Sequence, residues 1–181
     1  MTWRGWTRRC SFFFDGEKVS ETDKDWSAAP LIAKMNRSGI AEAAVHPMEA
    51  YAREPWKVSG LAADRLPRER LHPVYVVGPH HCGEFPAPAV LSARMEDRGA
   101  AIARPHCGPK GIVRSLDFCL LEELFGHLAE HRVVLFLDTV DSGDFLEAAQ
   151  LKTLLGGWPS MPVILGIAKV EQHDRIFYNL W

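Results

Sequence analysis

Apolar positions along the chain alternate between two patterns: short continuous runs, and stripes spaced three and four residues apart. Leu31, Ile32 and Met35 form one face of a helix capped by Ser27 and closed by Gly39. Its first turn accepts Pro30, because the early N–H groups there have no intrahelical partner. A short strand over 40–45 follows and stops at His46-Pro47. Residues 47–72 read as polar and irregular, with a short helix around 58–64. A β-rich run over 73–77 is halted by Gly78-Pro79-His80-His81.

The pattern then repeats. Residues 88–98 read as a helix with Val90, Leu91 and Met95 inward, ended by Gly99, and 100–104 as a strand. Leu116, Leu120, Leu121, Leu124, Phe125 and Leu128 make the strongest helical stripe in the chain. A continuous apolar strand over 133–137 ends at Asp138. A helix over 142–155 closes at Gly156-Gly157, a strand occupies 162–167, and 173–181 read as one more helix. A further strand is read at 10–14.

Strands that are apolar throughout, alternating with amphipathic helices, predict a parallel α/β sheet covered on both faces, joined by right-handed crossovers. Two architectures fit: an open doubly wound sheet, or part of a (β/α) TIM barrel. A complete barrel takes about 250 residues, more than the 181 of this sequence. No low-complexity linker divides the chain, so 1–181 reads as one domain with residues 1–9 as an N-terminal tail.

Composition narrows the classes further. A content of 47% hydrophobic and 24% charged residues matches globular proteins and excludes disordered and collagen-like chains. A net charge of −2 without a basic run argues against nucleic acid and against an acidic membrane surface as partner. Arg8-Arg9 followed by Phe12-Phe13-Phe14 has the outline of a twin-arginine signal. Its apolar core stops at Asp15, short of the roughly 7–15 residues a signal needs. Four cysteines without a CxxC pair are too sparse for a disulfide scaffold, so reduced thiols in a cytoplasmic protein are expected.

In either architecture, functional groups collect at the C-terminal ends of the strands. This sequence places His46 there, then His80-His81-Cys82, His106-Cys107, Asp138 and Lys169. His127 and His131 fall on or at the end of a helix, while His72 and His173 fall in connecting segments. His80, His81, His106 and Asp138 are the catalytic candidates, with His46 and Lys169 for binding substrate. Imidazole and thiolate together suit Zn²⁺, and adjacent strands can bring His81, Cys82, His106 and Cys107 together. The spacing matches no ligand motif such as HxH or HExxH, and tight Pro-His and His-Cys loops explain the same residues, so no cofactor is expected. GxGxxG, GxxxxGK[ST] and GxSxG are all absent.

The run Met35-Asn36-Arg37-Ser38-Gly39-Ile40 resembles a segment of amidohydrolase-related proteins, metal-dependent hydrolases and decarboxylases with a TIM-barrel fold. In that family a helix ending Met-x-x-x-Gly-Ile leads into the second barrel strand. Leu71-His72-Pro73-Val74-Tyr75-Val76-Val77, the helix end from Met95 to Gly99, and Met161-Pro162-Val163-Ile164-Leu165-Gly166 fit the same plan in the same order. The resemblance covers about 10–181 and implies the first six β/α units of eight. It also implies a lost metal centre. Phe12 and Phe14 stand where the first strand carries His-x-His, the fifth strand ends in Asp138 rather than histidine, and Ile167 takes the place of the sixth strand's histidine.

Two functions follow as expectations. One is an amidohydrolase-like hydrolase or decarboxylase acting on a small carboxylated or amide-bearing molecule, with histidines of the rim as general acid and base. The other is a non-catalytic, metal-free binding or assembly subunit, a degenerate or truncated family member that forms homo-oligomers through an open sheet edge.

Overall fold

Three helix-to-strand turns share one backbone device. In the first two, glycine takes a positive φ two residues past the helix end: Gly39 at 68° and Gly99 at 63°. The following N–H then reaches back to the helix, Ile40 to the Met35 carbonyl at 2.9 Å and Ala100 to the Met95 carbonyl at 2.8 Å. These bonds satisfy carbonyls that helix ends leave open. The third turn repeats the reach-back, Val133 N–H to the Leu128 carbonyl at 2.8 Å, but puts Arg132 in the left-handed position at φ 53°.

The computed structural model describes residues 28–47, 50, 54–105, 118–138 and 148–166. The elements are α1 (Ala29–Arg37), β1 (Ala43–Val45), α2 (Pro55–Arg65), β2 (Leu71–Val77), α3 (Pro88–Asp97), β3 (Ile102–Pro105), α4 (Phe118–Glu130), β4 (Val134–Asp138), α5 (Ala148–Gly157) and β5 (Val163–Gly166). A 3₁₀ turn, His80–Cys82, follows β2. The strands read at 10–14 and the helix at 173–181 lie outside the described residues, as do Ser27 and Leu116. α1 starts after Ala28 without a side-chain cap.

All five strands are parallel, in the sheet order β1-β2-β3-β4-β5. That order decides between the two architectures. A doubly wound sheet reverses its strand order so that helices cover both faces. A strictly sequential order with right-handed crossovers puts every helix on the same face and leaves the other for a barrel interior. The chain therefore folds as a half-barrel.

Side-chain alternation shows the same division. Tyr75, Val77, Ala103, Leu135 and Leu137 face outward into a core with Leu91, Met95, Leu121, Phe125 and Leu151 of the helices. Val74, Ile102, Val134 and Phe136 form a separate inner cluster with Ala44 and Ile164, made of strand residues alone. Phe125 meets Trp158 edge-on, ring centroids 5.4 Å apart.

Two expectations change. Val90 and Leu120 are 45% and 48% exposed rather than inward; α3 instead buries Pro88, Leu91, Ser92 and Met95, a narrower face. His72 lies inside β2, not in a connector, because β2 begins at Leu71 and tolerates Pro73. Pro73 sits opposite Val45, the last residue of β1. Past that point the Val76 N–H has no β1 partner and donates instead to Ser59 Oγ at 3.1 Å, while the buried Ser59 hydroxyl donates to the Pro55 carbonyl at 2.7 Å. This polar tie fixes α2 against β2.

Candidate functional site

The inner face is layered along the strand direction. At the N-terminal end, His72 Nε2 lies 2.8 Å from Glu42 Oε2, both partly exposed. The middle layer is apolar: Ala44, Val74, Ile102, Val134 and Ile164. At the C-terminal end, polarity returns with His46, which directly follows β1, and Arg104, the next-to-last residue of β3.

His46 and Arg104 are 3% and 6% exposed, and they hydrogen-bond to each other through Arg104 Nη1 and His46 Nε2. A guanidinium has no acceptor, so it donates, and His46 Nε2 must be the unprotonated ring nitrogen. Burial first, and the Arg104 charge second, push the imidazole down to about 4. His46 is thus a neutral acceptor at physiological pH rather than an acid. The Arg104 guanidinium carbon also lies 5.4 Å from the centroid of Phe136 on β4, a cation–π geometry that steadies its plane.

β1 and β3 both pair with β2, so they lie two strand spacings apart, nearly 10 Å. An arginine is among the few side chains long enough to cross that gap to an imidazole. Sequence reading missed Arg104. The available signal was a charged residue within a strand of a sheet covered on both faces, a place where charges are almost never buried without a role or a partner.

The other candidates fall elsewhere. His80 and His81 sit on the 3₁₀ turn after β2, rings 3.9 Å apart, with Gly83 at φ 73° ending the turn. His80 Nε2 faces Glu123 Oε2 of α4 at 3.6 Å, toward the helix layer, and His81 is exposed. Asp138 closes β4 in register with Gly166 of β5. His106, Cys107 and Lys169 lie outside the described residues.

Among the described residues, no three His, Cys, Asp or Glu side chains group closely enough to hold a metal ion. The buried guanidinium beside His46 also repels a second cation. No described helix is long and apolar enough to cross a membrane.

No family model and no curated protein matches this sequence. Solved structures do match its shape. An uncharacterised TIM-barrel protein from Bordetella bronchiseptica superposes with a TM-score of 0.60 at 15% identity, covering 84% of this chain and 55% of its own. A probable 2-pyrone-4,6-dicarboxylic acid hydrolase from Acinetobacter baumannii, solved with citric acid bound, gives 0.53 at 13% identity, covering 87% of this chain and 55% of its own. The chain spans about half the length of both, and the likeness establishes the TIM-barrel architecture of that half.

Proposed function

We propose that this chain is an amidohydrolase-like barrel protein that binds a small carboxylated molecule at the C-terminal rim and hydrolyses or decarboxylates it. The observation carrying this reading is Arg104, a buried guanidinium at the rim end of β3. Its planar fork of donors matches a carboxylate with two parallel bonds, and in a dry site such charge-assisted bonds are about twice as strong as neutral ones. The Acinetobacter neighbour supports the substrate class, because its name specifies a dicarboxylic acid and its bound citric acid is also carboxylate-rich.

In this reading His46 positions Arg104 by accepting from Nη1. Hydrolysis needs one group to take a proton from water and another to protonate the leaving group. We assign those tasks to His106 and Asp138, which follow Pro105 and Leu137 in the sequence, with Lys169 as a second contact to the substrate. An imidazole titrates close to neutral pH in water and suits the base. His80 and His81 support the rim loop, His80 through Glu123.

The second reading is a binding or assembly subunit without turnover, its contact to a second copy running through the edge at β5. The buried guanidinium beside His46, which disfavours a cation at this end of the strands, supports it over a metal-dependent hydrolase. Calorimetric titration of mono-, di- and tricarboxylates into wild type and Arg104→Gln tests the common step. Loss of charge-assisted bonds predicts at least about tenfold weaker binding in the variant. Equal affinity, or no carboxylate binding by wild type, overturns the assignment. NMR of the bound acid after long incubation then separates the readings: converted acid means enzyme, unchanged acid means binding subunit.

A further inference from the structure

At the end of the sheet opposite the rim, α4 runs out in two histidines one helical turn apart. We propose that His127 and His131 chelate a divalent transition-metal ion of the kind imidazole prefers, with Glu130 and, from α3, Glu96 as carboxylate partners of the two rings. The ion would then tie the C-terminal end of α3 to that of α4, which pack side by side. The site is separate from Arg104 and does not rest on the function proposed above.

Spacing is the first observation. The His131 N–H donates to the His127 carbonyl at 3.1 Å, so the helical turn continues past Glu130 and the pair keeps its i,i+4 relation. Residues so spaced share one helix face, the arrangement by which paired histidines hold Zn²⁺ on a helix. Their rings are nearly parallel, with 23° between planes and 6.5 Å between centroids. A metal–nitrogen bond of about 2.1 Å puts an ion about 3.2 Å from each ring centre, and a tetrahedral angle brings the centres to roughly 5.2 Å. The rings must close by about 1.3 Å, and side chains that are 28% and 40% exposed have room to do so.

The second observation is what stands behind the rings. Glu130 Oε2 lies 3.9 Å from His127 Nδ1, and Glu96 Oε2 lies 3.9 Å from His131 Nδ1. A carboxylate beside each Nδ1 leaves each Nε2 for the ion. Metal-bound histidines characteristically donate their other N–H to a carboxylate, which fixes the tautomer and raises the basicity of the ring. At 3.9 Å neither contact is a hydrogen bond, and the buried His127 Nδ1 has no hydrogen-bond partner. An ion on Nε2 places the hydrogen on Nδ1, where Glu130 can accept it.

Charge agrees with this geometry. Glu96 and Glu130 are exposed carboxylates in the last turns of α3 and α4, where the helix dipoles also favour a cation. Two imidazoles with water at the remaining positions suit Ni²⁺, Cu²⁺ or Zn²⁺ rather than Mg²⁺ or Ca²⁺, which take oxygen ligands. Only two protein atoms bind the ion directly, so the site needs no group of three ligands, and the described residues contain none.

The test titrates Ni²⁺ into the full chain by calorimetry, with Mg²⁺ as the control. Ni²⁺ is the probe because Zn²⁺ would also engage free thiolates. Wild type is expected to bind a single Ni²⁺ and no Mg²⁺. His127→Gln and His131→Gln each break the chelate and weaken Ni²⁺ binding at least about tenfold. Glu96→Gln weakens it about tenfold and leaves the melting temperature of the metal-free protein unchanged, a pattern that a merely structural ion pair does not give. His81→Gln, at the rim, leaves Ni²⁺ binding unchanged. Absence of Ni²⁺ binding to wild type overturns the proposal. So does full affinity in either His127→Gln or His131→Gln, which would mean an adventitious ion only. Should His127→Gln fold poorly, His131→Gln, in the more exposed ring, decides alone.

Discussion

Acid should destabilise this protein through His46 in a window set by its environment. The folded imidazole titrates at about 4 instead of 6.5, with burial as the larger cause and the Arg104 charge as the smaller. Between those values the unfolded chain binds a proton that the folded chain refuses, so stability falls as pH drops through the window and is fully present above it. Integrating the linkage from pH 7 to pH 4.5 gives a loss of about 2.5 kcal/mol from this one residue. Carboxylates titrate over part of the same range, so the comparison must be a double difference. His46→Gln keeps an acceptor for Arg104 but cannot take a proton. Urea unfolding followed by tryptophan fluorescence at both pH values, in both proteins, isolates the term. Wild type should lose about 2.5 kcal/mol more than the variant on acidification. Parallel losses would show that His46 is solvated or unpartnered by Arg104, and the rim geometry would be wrong.

Other consequences are simpler to measure. Arg132→Gly should raise stability by about 1 kcal/mol in chemical denaturation, because it relieves a left-handed backbone at φ 53° where the two sister turns use glycine. Ser59→Ala should cost about 1–3 kcal/mol, since it leaves the buried Val76 N–H without an acceptor. Phe125→Ala, at the centre of the helix-facing core and against Trp158, should cost about 3–5 kcal/mol and lower the melting temperature accordingly. Glu42→Gln should change stability by less than about 1 kcal/mol, because the Glu42–His72 pair is partly exposed and screened by water.

Much of this architecture is written in the sequence, and what is missing from it has a physical reason. A parallel strand covered on both faces shows as an unbroken apolar run, which is why 133–137 and 162–167 lie close to β4 and β5. The glycines at 39 and 99 mark helix ends because only a left-handed residue lets the next N–H reach back; Arg132 does the same work without the marker. The winding was not legible, since the same alternation of elements serves a doubly wound sheet and a barrel. Only the pairing order, β1 next to β2 through to β5, distinguishes them. His72 was misplaced because Pro73 reads as the start of a strand, although proline is tolerated where its missing N–H has little to bond.

The rim shows the same limit more sharply. Histidines and aspartate are conspicuous by type, so a residue-by-residue reading collects His46, His80, His81, His106 and Asp138. What makes His46 chemically distinct is its burial together with Arg104, which is 58 positions away in sequence and two strands away in space. Arginine in a strand looks like an exception to the apolar pattern rather than a part of the site. Yet its charge adds to the larger effect of His46's own burial in depressing the imidazole, and it gives the rim a cationic character. The site's charge is therefore decided by a residue that breaks the strand pattern, and a buried charge on the inner face of a parallel strand is the feature from which such a rim is best read.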